Sequence, residues 1–318
     1  MSSRLENGLI FVKEMPNCVS RISLLDDGGI ACSTQSRLHI LDSKGNEVFR
    51  KNDIPENFAL TPDNERVLFL KYEKREHFIE SLDLKSGKIK TEKKLRIKPC
   101  SPEFFFSYDL DNIPDSFVVV ATNKSRPNKA KVYEFATDLE LKRCSRALPC
   151  GEYVRNAFIS QTSPLEIFAS MENRTLYSIS NGLINWKMEC PKMIDGCDEF
   201  NRTLVVGSKH GNYVKAFELD NEHRKPSKEP IWTHDSIGQV MAVLIPDGRT
   251  ALVGTENLGG RLYAFDLKTG EEKFRHEMTK DFGIWTIKHA NGTIYLGTGI
   301  GGKGRVYALD YKALGLDK

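Results

Sequence analysis

The chain has 318 residues, of which 40% are hydrophobic and 28% charged, and its formal net charge is +3. This is the composition of a soluble globular protein with material for a large core, and so small a charge does not by itself predict nucleic-acid binding. No stretch approaches the roughly 20 apolar residues that cross a bilayer, so we expect no membrane association. The apolar run at 9–12 is too short for a secretory signal, and we therefore predict a cytoplasmic protein.

A strand-like unit recurs along the chain. Its two clearest copies are Gly-Arg-Leu-Tyr-Ala-Phe-Asp at 260–266 and Gly-Arg-Val-Tyr-Ala-Leu-Asp at 304–310. Weaker copies place the aspartate, or the residue equivalent to it, at positions 42, 83, 136, 180 and 218. Successive copies are 38 to 53 residues apart, and a period near 40–50 with strand-like units is typical of β-propeller blades.

Each unit indicates short strands joined by tight turns. Glycine-bearing turns follow the aspartate at 43–45, 85–87 and 268–270, where glycine can supply a positive φ. The next strand carries an aromatic residue in most units, and these residues are Phe49, Trp186, Trp232 and Phe274. Two units lack it, the ones that follow Gly87 and Asp138. No amphipathic helix of ten or more residues separates the units, so the sequence predicts an all-β fold.

The seventh unit lacks a fourth strand, and the N-terminus offers one. After Asp310 only eight residues remain, while residues 9–13 match the fourth-strand pattern with Phe11 as the aromatic. A disordered N-terminus is the alternative. We predict a single domain, residues 1–318, folded as a seven-bladed β-propeller whose last blade is closed by an N-terminal strand at about residues 8–14.

The units at 262–274 and 306–310 resemble the repeat of quinoprotein-type, or pyrroloquinoline-quinone-like, β-propellers. That repeat combines Leu-Tyr-Ala-Leu-Asp, a glycine turn and an aromatic fourth strand. The resemblance is good in two units and degenerate in the other five, and the architecture is also similar to that of WD-repeat propellers. It implies the fold, whereas function has to be argued from a site. We found no position that corresponds to a quinone or calcium ligand, so we expect no cofactor and no metal.

Three other patterns bear on catalysis. Residues 299–304 match G-x-G-x-x-G, but a strand follows instead of the helix that a dinucleotide site requires, which predicts a hairpin loop. The seven histidines show no metal-ligand spacing, and we expect ordinary core or surface residues. Asp195, Asp235 and Asp281 are expected in the loops that open the units. They could cap turns, or they could serve an enzyme with its site in a central channel, as a hydrolase, lyase or oxidoreductase.

The loops between second and third strands carry a surplus of positive charge. They are residues 34–37, 72–77, 123–129, 172–174, 209–212, 256–258 and 299–303. Together they hold nine basic and four acidic residues, a difference of +5 that exceeds the charge of the whole chain. In a propeller these loops share one face, and basic clusters attract acidic peptides or phosphates.

We therefore predict, in preference to an enzyme, a non-catalytic interaction scaffold or complex subunit that binds protein partners, acidic ones among them, through this loop face. The candidate partner-binding residues are Lys74, Arg75, Lys124, Arg126, Lys129, Lys209, Phe282 and Trp285. The two aromatic residues are included because aromatic anchors carry much of the energy of protein interfaces. For Trp285, packing between the sixth and seventh blades is the alternative role. A phosphate-rich or nucleic-acid ligand on the basic face is a less favoured function.

Overall fold

A computed structural model describes residues 3–56, 58–61, 63–73, 76–95, 105–108, 116–121, 131–136, 141–144, 154–163, 166–171, 173–256, 260–278, 283–300 and 302–317. The chain divides into two compact units. Unit 1 comprises Met1–Asn52 and Ile194–Lys318, and unit 2 comprises Asp53–Met193. Among the described residues, no helix has both the length and the apolar character needed to cross a membrane.

The described elements are one short helix and a series of strands. Unit 1 begins with α1 (Ser3–Gly8), β1 (Leu9–Met15), β2 (Val19–Leu24), β3 (Ile30–Thr34), β4 (Arg37–Leu41) and β5 (Glu47–Asn52). Unit 2 contains β6 (Phe58–Leu60), β7 (Arg66–Glu73), β8 (Glu76–Asp83), β9 (Ile89–Leu95), β10 (Phe105–Tyr108), β11 (Ser116–Ala121), β12 (Lys131–Ala136), β13 (Leu141–Cys144), β14 (Val154–Ile159), β15 (Glu166–Met171), β16 (Thr175–Ser180) and β17 (Leu183–Glu189). Unit 1 resumes with β18 (Gly196–Phe200), β19 (Thr203–Ser208), β20 (Tyr213–Glu218), β21 (Trp232–Asp235), β22 (Gln239–Leu244), β23 (Thr250–Glu256), β24 (Arg261–Asp266), β25 (Glu272–Glu277), β26 (Ile284–Ala290), β27 (Thr293–Ile300) and β28 (Lys303–Asp310).

These strands form separate four-stranded antiparallel sheets, which confirms the all-β prediction. In unit 2 the sheets are β6–β9, β10–β13 and β14–β17, each in sequence order. In unit 1 they are β2–β5, β18–β21, β22–β25 and a fourth sheet with the order β1-β28-β27-β26. Every third strand ends at, or one residue before, a position predicted from the repeated aspartate.

The N-terminal strand joins the sheet of the last unit, at the edge where the sequence shows no fourth strand. β1 pairs antiparallel with β28, with Val12 opposite Tyr307 and Glu14 opposite Arg305. Ahead of β1, the buried Leu5 of α1 packs in one core cluster with residues of the C-terminal tail, among them Leu314. The edge of β28 is therefore covered by hydrogen-bonded chain, and both chain ends are tied into the core of unit 1.

A repeated close approach joins neighbouring sheets of unit 1. Three of its four second strands, β19, β23 and β27, carry a glycine before Ser or Thr, and a Cβ on that glycine would collide with a residue that opens another sheet. Such a Cβ on Gly207 would lie 2.2 Å from Val240, and one on Gly254 would lie 2.7 Å from Ile284. Only glycine lets the strand of one sheet come this near the next. These contacts order the sheets as β18–β21, β22–β25 and then the sheet of β26.

Aromatic residues of the outer strands make the second inter-sheet contact. The ring of Trp232 packs on Gly270, in the turn after β24, and Trp232 Nε1 donates a hydrogen bond of 2.9 Å to the carbonyl of Leu267. Phe11 packs in the same way on Gly45, in the turn after β4. Both glycines have a positive φ. Trp232 is therefore a packing residue, and Trp186 is likewise buried.

The register of these aromatic residues is constant. Each lies opposite the residue two positions before the repeated aspartate or its equivalent. The five residues are Phe11, Phe49, Trp186, Trp232 and Phe274. The sheets β6–β9 and β10–β13 have Lys90 and Arg143 at this position instead. The sequence correctly predicted that two units lack the aromatic residue, and the register shows that a basic residue replaces it.

The repeated aspartates close the turns that follow the third strands. Asp266 Oδ1 accepts hydrogen bonds from the N–H groups of Lys268 and Thr269 at 3.0 and 2.9 Å, and Lys273 Nζ lies 3.0 Å from Oδ2. Desolvation of the Asp266 carboxylate opposes ionisation, but Lys273 and Thr269 together outweigh it and lower the pKa to about 2. The pKa of Asp42 is lowered for a similar reason, chiefly by hydrogen bonds from Asn46.

These caps predict a loss of stability in acid. A carboxylate whose pKa is lower in the folded chain stabilises the fold above its unfolded pKa of about 3.9, and that stabilisation disappears as the pH falls towards about 2. The urea concentration at the midpoint of unfolding should therefore decrease as the pH is lowered from about 5 to about 3. Asp266→Asn, which lacks the charge, should show a smaller fall, whereas Glu229→Gln in an exposed loop should behave like the parent chain. Equal falls in all three proteins would contradict the role of the caps.

Candidate functional site

Two of the eight predicted partner-binding residues, Lys209 and Trp285, lie in the described part of the chain, and the structure brings them together. The ammonium nitrogen of Lys209 lies over the indole of Trp285, 5.4 Å from the ring centroid. The other predicted residues fall outside the described residues; they are Lys74, Arg75, Lys124, Arg126, Lys129 and Phe282.

A β-bulge positions Trp285. In the pairing of β26 with β27, Ile284 lies opposite Thr298 and Thr286 opposite Gly297, so Trp285 has no partner residue. An extra residue in one strand re-aims its side chain and commonly occurs next to functional sites. Two other first strands of unit 1 have a bulge at the equivalent position, where the unpaired residues are Ser20 and Met241. All three bulged residues are partly exposed.

The orientation of the Trp285 indole is fixed from two sides. Nε1 donates a hydrogen bond of 2.9 Å to the carbonyl of Gly299, at the end of β27. Gly283 precedes the strand with φ +77, and a Cβ at that position would lie 3.1 Å from the indole nitrogen and 3.3 Å from Glu256. Trp285 is therefore a partly exposed aromatic side chain whose polar edge is satisfied within its own sheet. The exposed part of the ring is a surface that a partner could contact.

Lys209 and Glu256 complete the cluster, which we call the Trp285 cluster. Lys209 lies between β19 and β20, where its N–H donates to Asp195 Oδ2 at 2.9 Å. Its Nζ lies 2.5 Å from Oε2 of Glu256, the last residue of β23. The side chains of Lys209 and Glu256 are only 21% and 17% exposed. Lys209 and Glu256 therefore form a mostly buried ion pair.

Three sheets thus supply one side chain each to a small, electrically balanced surface. The lysine was counted in the positive surplus of the loops, and its charge is in fact compensated by a glutamate from another of those loops. Its role in binding an acidic partner remains a prediction, but its direct contribution here is to hold the indole through a cation–π contact. The chemistry that the Trp285 cluster offers is apolar and aromatic contact on a preorganised ring.

Removing one member of this ion pair should cost stability. Lys209→Met keeps the aliphatic stem over the indole but leaves the Glu256 carboxylate mostly buried without its cation, and we expect a loss of about 2 kcal/mol in the free energy of unfolding. Adding Glu256→Gln should recover most of that loss. Urea unfolding followed by circular dichroism measures both. Losses that simply add in the double variant would show that the two charges do not interact.

Other predicted features have structural roles. β27 pairs antiparallel with β28, with Gly299 opposite Gly304 and Ile300 opposite Lys303, as expected for two strands of a hairpin. Asp195 lies in the loop that opens its sheet, as predicted, and its carboxylate holds the backbone of Lys209. The expectation for Asp235 was wrong, because it is the last residue of β21 and pairs with Tyr213. Asp281 lies outside the described residues.

The described histidines either pack within the fold or lie exposed on its surface. His39 is fully buried, with Nε2 2.9 Å from Thr34 Oγ1 and Nδ1 2.9 Å from Glu47 Oε2. His223 is exposed. Burial lowers the pKa of His289, which packs at 5.0 Å against the ring of Tyr311. Within the described ranges, no group of three or more His, Cys, Asp or Glu side chains could hold a metal ion.

Sequence reasoning missed Glu256 as a partner of Lys209 and missed the bulge. Residues 209 and 256 lie in separate units of the repeat, and nothing in their immediate neighbourhood marks them as a pair. The bulge had a weak signal, since Trp285 interrupts an otherwise aliphatic and β-branched strand opening.

No protein-family model matches the chain, and comparison with curated proteins likewise gives no match.

Proposed function

We propose that this chain is a seven-bladed β-propeller closed by its N-terminal strand and that it works as a non-catalytic interaction scaffold. In this proposal it is a single domain that binds a protein partner through the loops between second and third strands, with the Trp285 cluster as an anchor point. A rigid array of sheets that presents variable loops suits such a role. The resemblance to quinoprotein-type and WD-repeat propellers supports the proposed architecture but not the proposed function.

Several features of the separate sheets support the propeller. Each is a four-stranded antiparallel sheet, and in six of the seven the strands follow one another in sequence order. In unit 1 the first strands of neighbouring sheets contact one another, β2 with β26, β26 with β22 and β22 with β18. The glycine and aromatic contacts described above recur from sheet to sheet. A repeated contact of this kind produces a constant rotation between sheets, as in a propeller.

The observation that carries the binding role is Trp285 itself. A tryptophan aimed by a bulge, partly exposed, and fixed by one hydrogen bond and one cation loses little side-chain entropy when a partner packs on it. Tryptophan is among the residues most enriched at binding hot spots. We infer that the partner places an apolar or aromatic side chain on this indole.

The experiment that tests this function is a quantitative pull-down. Tagged parent chain and Trp285→Ala are used to capture proteins from the source cells, and the two sets of bound proteins are compared by mass spectrometry. A partner should be depleted at least tenfold with Trp285→Ala, as expected for a hot spot worth about 2 kcal/mol. Lys268→Ala, in the exposed turn after β24, is the matched control and should retain the partner.

The predicted basic loop provides a second arm. Lys124→Glu combined with Arg126→Glu should also deplete an acidic partner, because the change reverses the charge of the densest basic loop. Identical recovery of all proteins by the parent chain, Trp285→Ala and the double variant would refute the scaffold. Location in the cytoplasm is part of the proposal and can be tested by imaging a tagged chain.

A further inference from the structure

The outer strand β9 of unit 2 is strongly basic. Residues 85–94 contain five lysines and one glutamate, a net charge of +4 that exceeds the +3 of the whole chain. Lys85, Lys88, Lys90 and Lys94 are exposed. Lysines on an edge strand often serve only to discourage edge-to-edge pairing, and one or two would suffice for that purpose.

Lys90 occupies a position that normally holds a packing residue. It lies opposite Ser81, in the register where five other sheets place Phe or Trp. At this position in unit 1, Phe11 and Trp232 pack on a turn of another sheet, whereas the Lys90 side chain is 75% exposed. A buried contact has thus been replaced by an exposed charge, which a purely structural strand does not require.

The single acid of this segment is turned towards the sheet. Glu92 is the bulged residue between Thr91 and Lys93. Its carboxylate accepts a hydrogen bond of 2.5 Å from Ser81 Oγ and lies 3.1 Å from Lys90 Nζ and 3.8 Å from Arg66. Desolvation opposes ionisation of Glu92, but these contacts lower its pKa. Two cations therefore share one inward carboxylate, and the outer side of β9 remains positive.

The backbone of β9 also offers an edge. β9 is the terminal strand of its sheet. The carbonyl of Lys88 accepts a hydrogen bond from the N–H of Asp83. Because pairs in an antiparallel ladder alternate between bonded and non-bonded, Ile89 and Thr91 point their amide and carbonyl groups outward. Both residues are exposed.

We propose that β9 is a docking strand for an acidic, extended peptide segment of a protein partner, which adds to the sheet as a further strand. Strand addition takes its affinity from backbone hydrogen bonds and its specificity from side chains. Here the lysines select a segment rich in Asp and Glu. A single-stranded nucleic acid fits less well, since such sites combine basic grooves with stacking aromatic residues, and the sequence of β9 contains none.

The test uses a fluorescein-labelled peptide of alternating Glu and Val, whose binding is followed by fluorescence anisotropy. Valine favours the extended conformation, and glutamate supplies the charge. The parent chain should bind this peptide more weakly as salt is raised. Lys88→Glu with Lys90→Glu should weaken binding at least tenfold. Lys88→Gln with Lys90→Gln tests the same charges with less disturbance of the strand, and thermal melts confirm that each variant folds.

Two matched controls separate this site from general electrostatics. Lys187→Glu with Arg275→Glu changes the net charge equally on exposed positions of other outer strands and should bind like the parent chain. Ile89→Pro removes an outward N–H and should weaken binding, whereas Ile89→Ala retains that N–H and should not. Trp285→Ala should leave peptide binding unchanged, so the outcome is independent of the proposed loop-face site.

Four results would overturn the proposal. They are no binding of the peptide by the parent chain, equal weakening by the Lys187 and Arg275 control, unchanged binding by Ile89→Pro, and tighter binding of an oligothymidine probe than of the peptide. The last result would assign the strand to nucleic acid instead.

Discussion

Deleting residues 1–15 should leave unit 1 unfolded or aggregated at temperatures at which the full chain remains folded. The deletion removes β1, and with it every hydrogen bond that covers the outer edge of β28. An exposed edge strand is a template for pairing with other chains. The same deletion removes Leu5 and Met15 from two separate buried clusters.

A single substitution should reproduce part of this effect. Phe11 packs on Gly45 in the turn after β4, so it connects β1 to a second sheet. Phe11→Ala leaves the ladder to β28 in place and removes the packing of the ring on Gly45 and on the buried cluster that contains Met15. Because the ring is partly buried, we expect a loss of about 2 kcal/mol, less than the 3–5 kcal/mol typical of a fully buried phenylalanine.

Val12 supplies the matched control. It lies in the same strand, opposite Tyr307, and is 46% exposed. Val12→Ala should change the free energy of unfolding by no more than about 0.5 kcal/mol. Thermal unfolding, with light scattering to detect aggregation, measures all three proteins. Normal stability and solubility of the deletion variant would show that β1 does not secure the last sheet.

The all-β array of separate antiparallel sheets was largely predictable because its signals are local. The aspartate that ends a third strand, the glycine turn and the aromatic residue after it lie within about a dozen residues, so a copy that has all three can be recognised from a short stretch of sequence. The pairing of β1 with the last sheet could be predicted because the seventh unit has no fourth strand of its own, whereas residues 9–13 match a fourth strand and belong to no other unit. Strand alternation and turn chemistry thus determine these elements without long-range information.

The Trp285 cluster could be predicted only in part. Composition and position marked Lys209 and Trp285 as loop-face residues, but their contact and the ion pair to Glu256 depend on which sheets lie side by side. A bulge depends on the register between two strands. The hydrophobic pattern of a strand determines which of its faces is buried, but it does not by itself show where an extra residue is inserted. The exchange of an aromatic residue for Lys90 also depends on register, because the aromatic residue follows the repeated aspartate or its equivalent by 6, 7, 8 or 14 positions in the other units.

Packing of Trp232 between two sheets should be a large source of stability in unit 1. Trp232→Ala should lower the free energy of unfolding by about 4 kcal/mol. The side chain is 8% exposed, lies 5.9 Å from the ring of Phe265 and donates to the carbonyl of Leu267. Trp232→Phe keeps most of the packing and loses the donor, and it should cost about 1 kcal/mol.

A double-mutant cycle with Gly270 tests whether this contact is the one that matters. A Cβ at Gly270 would lie 2.6 Å from Trp232 Cγ, and the residue has φ +76. Gly270→Ala should therefore cost about 3 kcal/mol in the parent chain, the sum of steric overlap and of about 1 kcal/mol for the left-handed backbone. In the Trp232→Ala background the overlap is gone and only the backbone cost remains.

The double variant should consequently be about 2 kcal/mol more stable than the sum of the two single losses predicts, a coupling of the size found for residues in contact. Urea unfolding followed by circular dichroism gives the four free energies. Gly45→Ala, which pairs with Phe11 instead, is the control and should add independently to Trp232→Ala. Additive losses for Trp232 and Gly270 would mean that the ring does not hold these two sheets together, and the repeated contact would then lose its role in ordering the sheets of unit 1.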